Sequence, residues 1–321
     1  MFIMKRSLLY IGLFLACSCL PLISQKKLKR QASKTPFLIP AHETMETAWD
    51  YPKNPLTSSL SGNQFSAEQI KSGFEIFTNT PEKASRFSGN KLSCNNCHLN
   101  AGQKDKAMAL VGISGLFPEY NKRAGRLISL EDRIVECFMR SSNATAYLDS
   151  QSTEGNVSSS NLPTTQSKEV LAVSAYISWL SEGFAVGKNV EWRGGNVIAK
   201  EHLIPLDRLN AAIGKELYTE KCVSCHGEDG QGVEIGDKKA GPLWGPDSWN
   251  DGAGAARIYT LAGIIRYMMP YLNPGSLTDE EAQHIAAFIN SMPRPVYPLK
   301  DKDYLTEKIP PDAVYYHQNK K

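Results

Sequence analysis

Two short stretches of the chain hold cysteines and a histidine at a spacing suited to chemistry. Cys94-Asn-Asn-Cys97-His98 and Cys222-Val-Ser-Cys225-His226 are two copies of C-x-x-C-H, the pattern that attaches a c-type haem. Two thiols a helical turn apart add to the two vinyl groups of one haem, and the adjacent histidine reaches the iron as proximal ligand. The sequence therefore predicts two covalently bound haem c groups. Cys94, Cys97, Cys222 and Cys225 would hold them, with His98 and His226 on the irons. The competing use of two C-x-x-C pairs is a zinc site, but that use leaves both trailing histidines without a role.

A six-coordinate iron needs a second axial ligand. After the second motif comes Met268-Met269-Pro270, and a thioether there raises the potential, as electron export requires. The Met-Pro pair resembles the distal ligand of class I cytochromes c, which makes Met269 the favoured ligand, with Met268 open and Met292 and His284 in reserve. Gly241-Pro242-Leu243 reads as the loop whose carbonyl orients His226. For the first haem the open choices are His42, Met108, Met139 and a cysteine left over from the other motifs. Of seven cysteines, four belong to the haem motifs, Cys17 and Cys19 lie near the N-terminus, and Cys137 remains.

Ser129-Leu-Glu-Asp132 predicts a helix start, which sets Arg133, Cys137 and Ser141 on one face at i, i+4 and i+8. Arg123 and Arg126 lie just upstream. Cations lower a thiol pKa and favour the thiolate that ligates iron or attacks sulfur, and guanidinium forks fit small oxyanions. Lys106 could add a further charge. The competing arrangement pairs these arginines with Glu131, Asp132 and Glu136 and buries Cys137 as a small hydrophobe.

The elements that would position these groups recur. Ser66-Ala-Glu-Gln69 is a capping box before Ile70, Gly73, Phe74 and Phe77 at helical spacing. Ile213, Gly214, Leu217 and Tyr218 repeat the glycine-plus-aromatic pattern before the second motif. Val170, Val173, Ile177 and Leu180 form a closing helical stripe. Thr278-Asp-Glu-Glu281 caps another, carrying Ala282, Ile285, Ile289 and Met292. Helix, haem motif, loops and closing helix, twice over, resemble the cytochrome c fold, in which a small glycine lets the first and last helices approach. The expected class is all-α, two tandem cytochrome c domains joined by a linker. The expected division is a signal over 1–24, a linker over 25–62, a catalytic domain over 63–187, an inter-domain linker over 188–210, an electron-transfer domain over 211–295 and a solvated or wrapping tail over 296–321.

Bulk properties agree. A chain of 321 residues, 41% hydrophobic and 21% charged, has room for about two domains plus a targeting segment. A net charge of +3 without a basic stripe gives no support for nucleic acid as partner. Lys5 and Arg6 precede an apolar stretch from Leu8 to Leu20, which reads as an export signal and is short for a membrane span. Phe14-Leu15-Ala16-Cys17 resembles a bacterial lipobox. A free periplasmic protein and one anchored through a lipid on Cys17 both remain open, as does an uncleaved membrane anchor.

Ser93-Cys-Asn-Asn-Cys-His-Leu-Asn-Ala-Gly102, Gly115-Leu-Phe-Pro-Glu-Tyr120, Leu130-Glu-Asp-Arg-Ile134 and Glu136-Cys-Phe-Met-Arg-Ser141 closely resemble the dihaem thiosulfate dehydrogenases. So do Asn250-Asp-Gly-Ala-Gly254 and Ala286-Ala-Phe-Ile-Asn-Ser291, and the resemblance spans most of 63–295. The thiolate-haem subunit of the sulfur-oxidation multienzyme complex is a more distant match. The resemblance implies His98 and Cys137 as axial ligands of a catalytic first haem, where two thiosulfates join as tetrathionate. It implies Arg123, Arg133 and Ser141 as holders of the substrate anion. His226 and a methionine would ligate the second haem, which would pass electrons to an acceptor cytochrome or other redox protein. Some members use a lysine there in one redox state; no Lys lies between Lys239 and Lys300, so no such switch is expected. Two other functions stay open: a dihaem electron carrier without its own substrate, and the same scaffold working as a tetrathionate reductase. Cys137 with its arginine face is the feature a pure carrier does not need.

Overall fold

A computed structural model describes residues 53–146, 162–235 and 238–317. The stretch read as an export signal, Cys17, Cys19 and His42 lie outside the described residues.

The first domain starts where the capping box predicts. Ser66 Oγ accepts the Gln69 N–H and Gln69 Oε1 accepts the Ser66 N–H, opening helix α1 (Ala67–Thr78). Helix α2 (Leu130–Arg140) opens on a second such box, Ser129 with Asp132. Helix α3 (Lys168–Leu180) is buried on nearly every side. α1 buries Ile70, Phe74 and Phe77; Phe74 and Phe77 pack on Tyr176 of α3 at ring separations of 5.7 and 5.6 Å. Each such fully buried side chain contributes about 1.5–3 kcal/mol. The α1–α3 crossing is set by Gly73, where a Cβ would stand 2.0 Å from the Ala172 carbonyl oxygen.

The second domain repeats the arrangement. Helix α4 (Ala211–Lys221) is capped by Asn210 and helix α6 (Asp279–Ile289) by the Thr278–Glu281 box. They cross at Gly214, where a Cβ would meet the His284 carbonyl oxygen at 2.0 Å. Helix α5 (Ile258–Met268) completes this core with Leu261, Ala262 and Ile265 buried. Tyr218, Trp244 and Phe288 stack around it at 5.2–5.7 Å. The chain between the domains runs across α5, since a Cβ on Gly263 would strike the Asn196 carbonyl at 2.0 Å.

The fold is mostly helical, as expected, with two small additions. Strand β1 (Glu119–Asn121) pairs antiparallel with β2 (Arg126–Ile128), and a two-residue ribbon joins Glu234–Ile235 to Lys238–Lys239. No apolar alternation signals the first hairpin. Its turn is built by Asn121, whose Oδ1 accepts the N–H groups of Arg123 and Ala124, and by Gly125 at φ +64°, a conformation glycine adopts without strain.

The domains dock through buried polar contacts. Asn250, fully buried, donates through Nδ2 to Met139 O at 2.9 Å and Asn143 Oδ1 at 3.0 Å, and its Oδ1 accepts the Gly252 N–H. Asn90 Nδ2 bridges Ser141 O and Ser248 O at 2.7 and 3.1 Å. Asn250→Ala is expected to cost about 2–3 kcal/mol, because buried acceptors lose their donor; a denaturant midpoint at the wild-type value would contradict this.

The tail was expected to be solvated or wrapping, and it wraps. Tyr297, Asp312 and Ala313 are buried, and Asp312 accepts Arg257 Nη2 at 2.7 Å. Four tyrosines between 297 and 316 supply apolar surface that a solvated tail would not carry.

Candidate functional site

The two haem motifs fold alike. A short helical turn carries Cys94 and Cys97 in one domain and Cys222 and Cys225 in the other. His98 Nδ1 lies 2.7 Å from Met108 O, and His226 Nδ1 lies 3.3 Å from Gly241 O. Each ring thus donates one N–H to a backbone carbonyl, which fixes the tautomer that leaves Nε2 for a metal. The Gly241–Leu243 loop does orient His226, through the Gly241 carbonyl. In the first domain Met108 supplies that carbonyl, a role with no sequence signal because only its backbone is used. Burial pushes both histidines below their ordinary pKa, toward the neutral, ligating form. It pushes the thiols up, Cys94 to about 12 and Cys97 and Cys222 each to about 11.

These residues fit haem. The five described cysteines are free thiols, and the two C-x-x-C pairs stand in separate domain cores. Among the described residues no cluster of three His, Cys, Asp or Glu could hold a metal ion alone. Two residues past His98, both amide atoms of Asn100 are buried without a hydrogen-bond partner among the described residues. An orphaned amide beside a half-covered histidine marks a lining whose counterpart is a bound group.

Cys137 lies on α2, half-buried, beside the buried face made by Leu130, Ile134 and Phe138. Its thiol is within electrostatic reach of both Cys94 and Cys97, so it belongs with the first haem motif. Burial raises its pKa, outweighing Arg133, Arg123 and Arg140, which all pull it down. The expectation of a lowered value is corrected: the arginines act in the expected direction, but desolvation of the free thiol is stronger.

The predicted cations divide. Arg133 stands one turn before Cys137 and contacts Glu119 Oε1 at 3.2 Å and Glu136 Oε2 at 3.7 Å. Arg123, at the tip of the β1–β2 hairpin, donates Nη1 to Gly252 O at 2.9 Å. Ser141 caps α2, its N–H bonded to Cys137 O at 2.8 Å. Arg126 makes an exposed fork with Asp132 at 3.1 Å, so it and Arg133, through Glu136, both show the competing pairing the sequence left open, and Lys106 is exposed.

The Asp132 carboxyl is held below its usual 3.8, chiefly by the hydrogen bonds from Arg126. That contribution is present above the ordinary carboxylate value and vanishes as pH falls through the lower folded one. Arg126→Ala should therefore lower stability at pH 7 by only about 0.2–1 kcal/mol, by a margin that closes on acidification, and leave activity intact. Thermal melts of both proteins across acid pH check this.

Sequence reasoning missed Arg140. It is buried three residues past Cys137, forks onto Asp303 from the tail at 2.7 and 2.8 Å and lies 4.1 Å from the Tyr297 ring. Met268 and Met269 share one apolar cluster with Leu99 and Ala107 of the first domain: Met268, 1% exposed, is buried in it, and Met269, just past α5, is partly covered and packs against it. His284, a reserve ligand, accepts the Asn210 N–H on Nδ1 and serves the helix crossing.

A family model described as "SoxA/TsdA, cytochrome c domain" matches residues 83–186, and one for "Cytochrome c" matches 211–293. Each matched segment bears on one attachment motif, and the chain carries two covalently bound haem c groups. A thiosulfate dehydrogenase of Stutzerimonas stutzeri (strain A1501) is 33% identical over 270 residues, 84% of this chain and 80% of that protein. One from Allochromatium vinosum is 37% identical over 237 residues, 72% and 80% of the two chains. Among solved structures, the "as isolated" form of the thiosulfate dehydrogenase TsdBA from Marichromatium purpuratum superposes with a TM-score of 0.62 at 30% identity, over 73% of this chain and 48% of that one. Identity sustained across both domains and most of each curated relative has one explanation: the chain belongs to the thiosulfate dehydrogenase family.

Proposed function

We propose that this chain oxidises two thiosulfates to tetrathionate at its first haem site and passes the electrons through its second to an external cytochrome or other redox protein. His98 and Cys137 would hold the iron of the first haem, and His226 and Met269 that of the second. The observation that carries the reading is Cys137: a thiol without a disulfide partner among the described residues, in electrostatic reach of both attachment cysteines of the first motif and of three arginines. A carrier has no use for that arrangement. Met269 is favoured as the residue directly before Pro270, with Met268, buried in the same apolar cluster, the alternative.

The bound haems supply one-electron acceptance at iron, with a thiolate ligand lowering the potential of one and a thioether raising that of the other. The side chains handle charge. Two dianions 4 Å apart repel by roughly 16 kcal/mol at an effective dielectric of 20, so the site needs fixed cations. Arg123 and Arg133 would supply them. Each guanidinium has five N–H donors and commits few of them to the protein, leaving forks for a sulfonate end. Ser141 adds a hydroxyl on the same face. Forming the S–S bond of tetrathionate releases two electrons, one for each haem to carry.

The working division is a catalytic domain over 63–187 and an electron-transfer domain over 211–295. The charged and apolar N-terminal residues favour export to the periplasm, with the protein soluble or lipid-anchored through Cys17. Holoprotein with two haems per chain, given thiosulfate and an artificial acceptor, should form tetrathionate. Fully loaded protein that leaves thiosulfate untouched would favour the carrier reading, and tetrathionate reduction without detectable oxidation would favour the reverse direction.

A further inference from the structure

Residues past the second domain return to the first. Tyr304 donates its N–H to Arg123 O at 2.8 Å. Thr306 fills the space beside Gly125, where a Cβ would meet its Oγ1 at 2.4 Å, and Glu307 accepts the Tyr120 hydroxyl at 3.0 Å. These contacts clasp the hairpin that presents Arg123. One turn beyond Cys137, Arg140 is gripped by Asp303 in a two-pronged pair, with both side chains 7% exposed. Tyr316 donates its hydroxyl to Asp303 at 2.5 Å, and Gly252 O accepts from Arg140 at 3.2 Å. A pair this deeply buried cannot reach substrate, but its charges act on Cys137 through little water.

We infer that the strap 297–317 is a working part of the first haem site, with Asp303 a positioning residue that offsets the charge of Arg140 beside Cys137 and, by gripping Arg140, anchors the strap whose Tyr304, Thr306 and Glu307 hold the Arg123 hairpin. The inference rests on the proposed role of Cys137 as iron ligand. Its physical content is a balance of charge. The Asp303 carboxylate offsets the Arg140 guanidinium, so a Cys137 thiolate would keep its electron density for iron. With an amide in its place Arg140 would draw that density, and the first haem would become easier to reduce.

The test compares wild-type, Asp303→Asn, Asp303→Glu and Tyr316→Phe holoproteins, each checked for two haems per chain. Potentiometric titration followed by EPR reads the two haems separately, and steady-state kinetics separate KM from kcat. In Asp303→Asn the first-haem potential rises and the second is unmoved. KM for thiosulfate rises on the order of tenfold, the scale of a modest misplacement of a binding group. Asp303→Glu restores both, and Tyr316→Phe shifts both in the same direction by less. Wild-type values throughout Asp303→Asn overturn the inference; should that variant fail to fold or load, wild-type values in Tyr316→Phe overturn it instead. A wild-type protein without a thiolate-type low-spin EPR signal overturns the ligand reading beneath it, and the inference with it.

Discussion

Cys137→Ala is expected to abolish thiosulfate oxidation, with kcat falling at least about a thousandfold, the scale of removing a group that takes part directly in chemistry, while both haems stay attached. The separation follows from where the residue sits. α2 is held by Leu130, Ile134 and Phe138 and by the Ser129 cap; none of these is touched, and alanine is the best helix former. Attachment depends on Cys94, Cys97 and His98, one short helical turn with its own hydrogen bonds. The change therefore removes one sulfur and leaves the frame. Haem stoichiometry, optical spectra and tetrathionate formation measured on one preparation separate the two effects. Full turnover in the variant would remove Cys137 from the chemistry.

The second large effect is on stability. Gly73→Ala and Gly214→Ala should each cost about 3 kcal/mol or more, at the upper end of overpacking penalties. Two terms oppose each other. Replacing a helical glycine by alanine favours the helix by about 1 kcal/mol, yet the new methyl would stand 2.0 Å from a backbone carbonyl oxygen, Ala172 O or His284 O. Backbone cannot swing aside as a side-chain tip does, so the helices must part and open the core between them. Reduced haem loading and an earlier denaturation midpoint are the expected results, and a variant as stable as wild type would show that the crossings are not tight.

Much of this frame was legible in the sequence because its signals are local. Caps at Ser66, Ser129 and Thr278 act within four residues, and the C-x-x-C-H spacing fixes a single turn. The doubled Gly73 and Gly214 pattern pointed to the helix crossings through its resemblance to the cytochrome c fold, where a glycine without a Cβ lets two helices approach. The site was only partly legible. Arg123 and Arg126 look equivalent along the chain, and the deciding facts are distant or exposed: Gly252 for one, a solvated Asp132 for the other. The Arg140–Asp303 pair joins residues 163 positions apart, and no periodicity reports such a pairing. The raised pKa of Cys137 was missed because burial is a property of the assembled domain, whereas the arginines are visible in the string.

One contact between the domains bears on timing. Gly241, whose carbonyl holds His226, touches the first haem motif so closely that a Cβ would stand 2.5 Å from Leu92 Cδ2 and 3.2 Å from Asn96 Nδ2. Asn96 is itself part of that motif, its Oδ1 accepting the Ser93 N–H. The holder of one cofactor is thus wedged against the attachment loop of the other. Relay between the two centres needs no swinging or re-docking of domains, so its pace should ignore solvent viscosity and ionic strength. Delivery to the outside acceptor, a collision between separate molecules, should feel both.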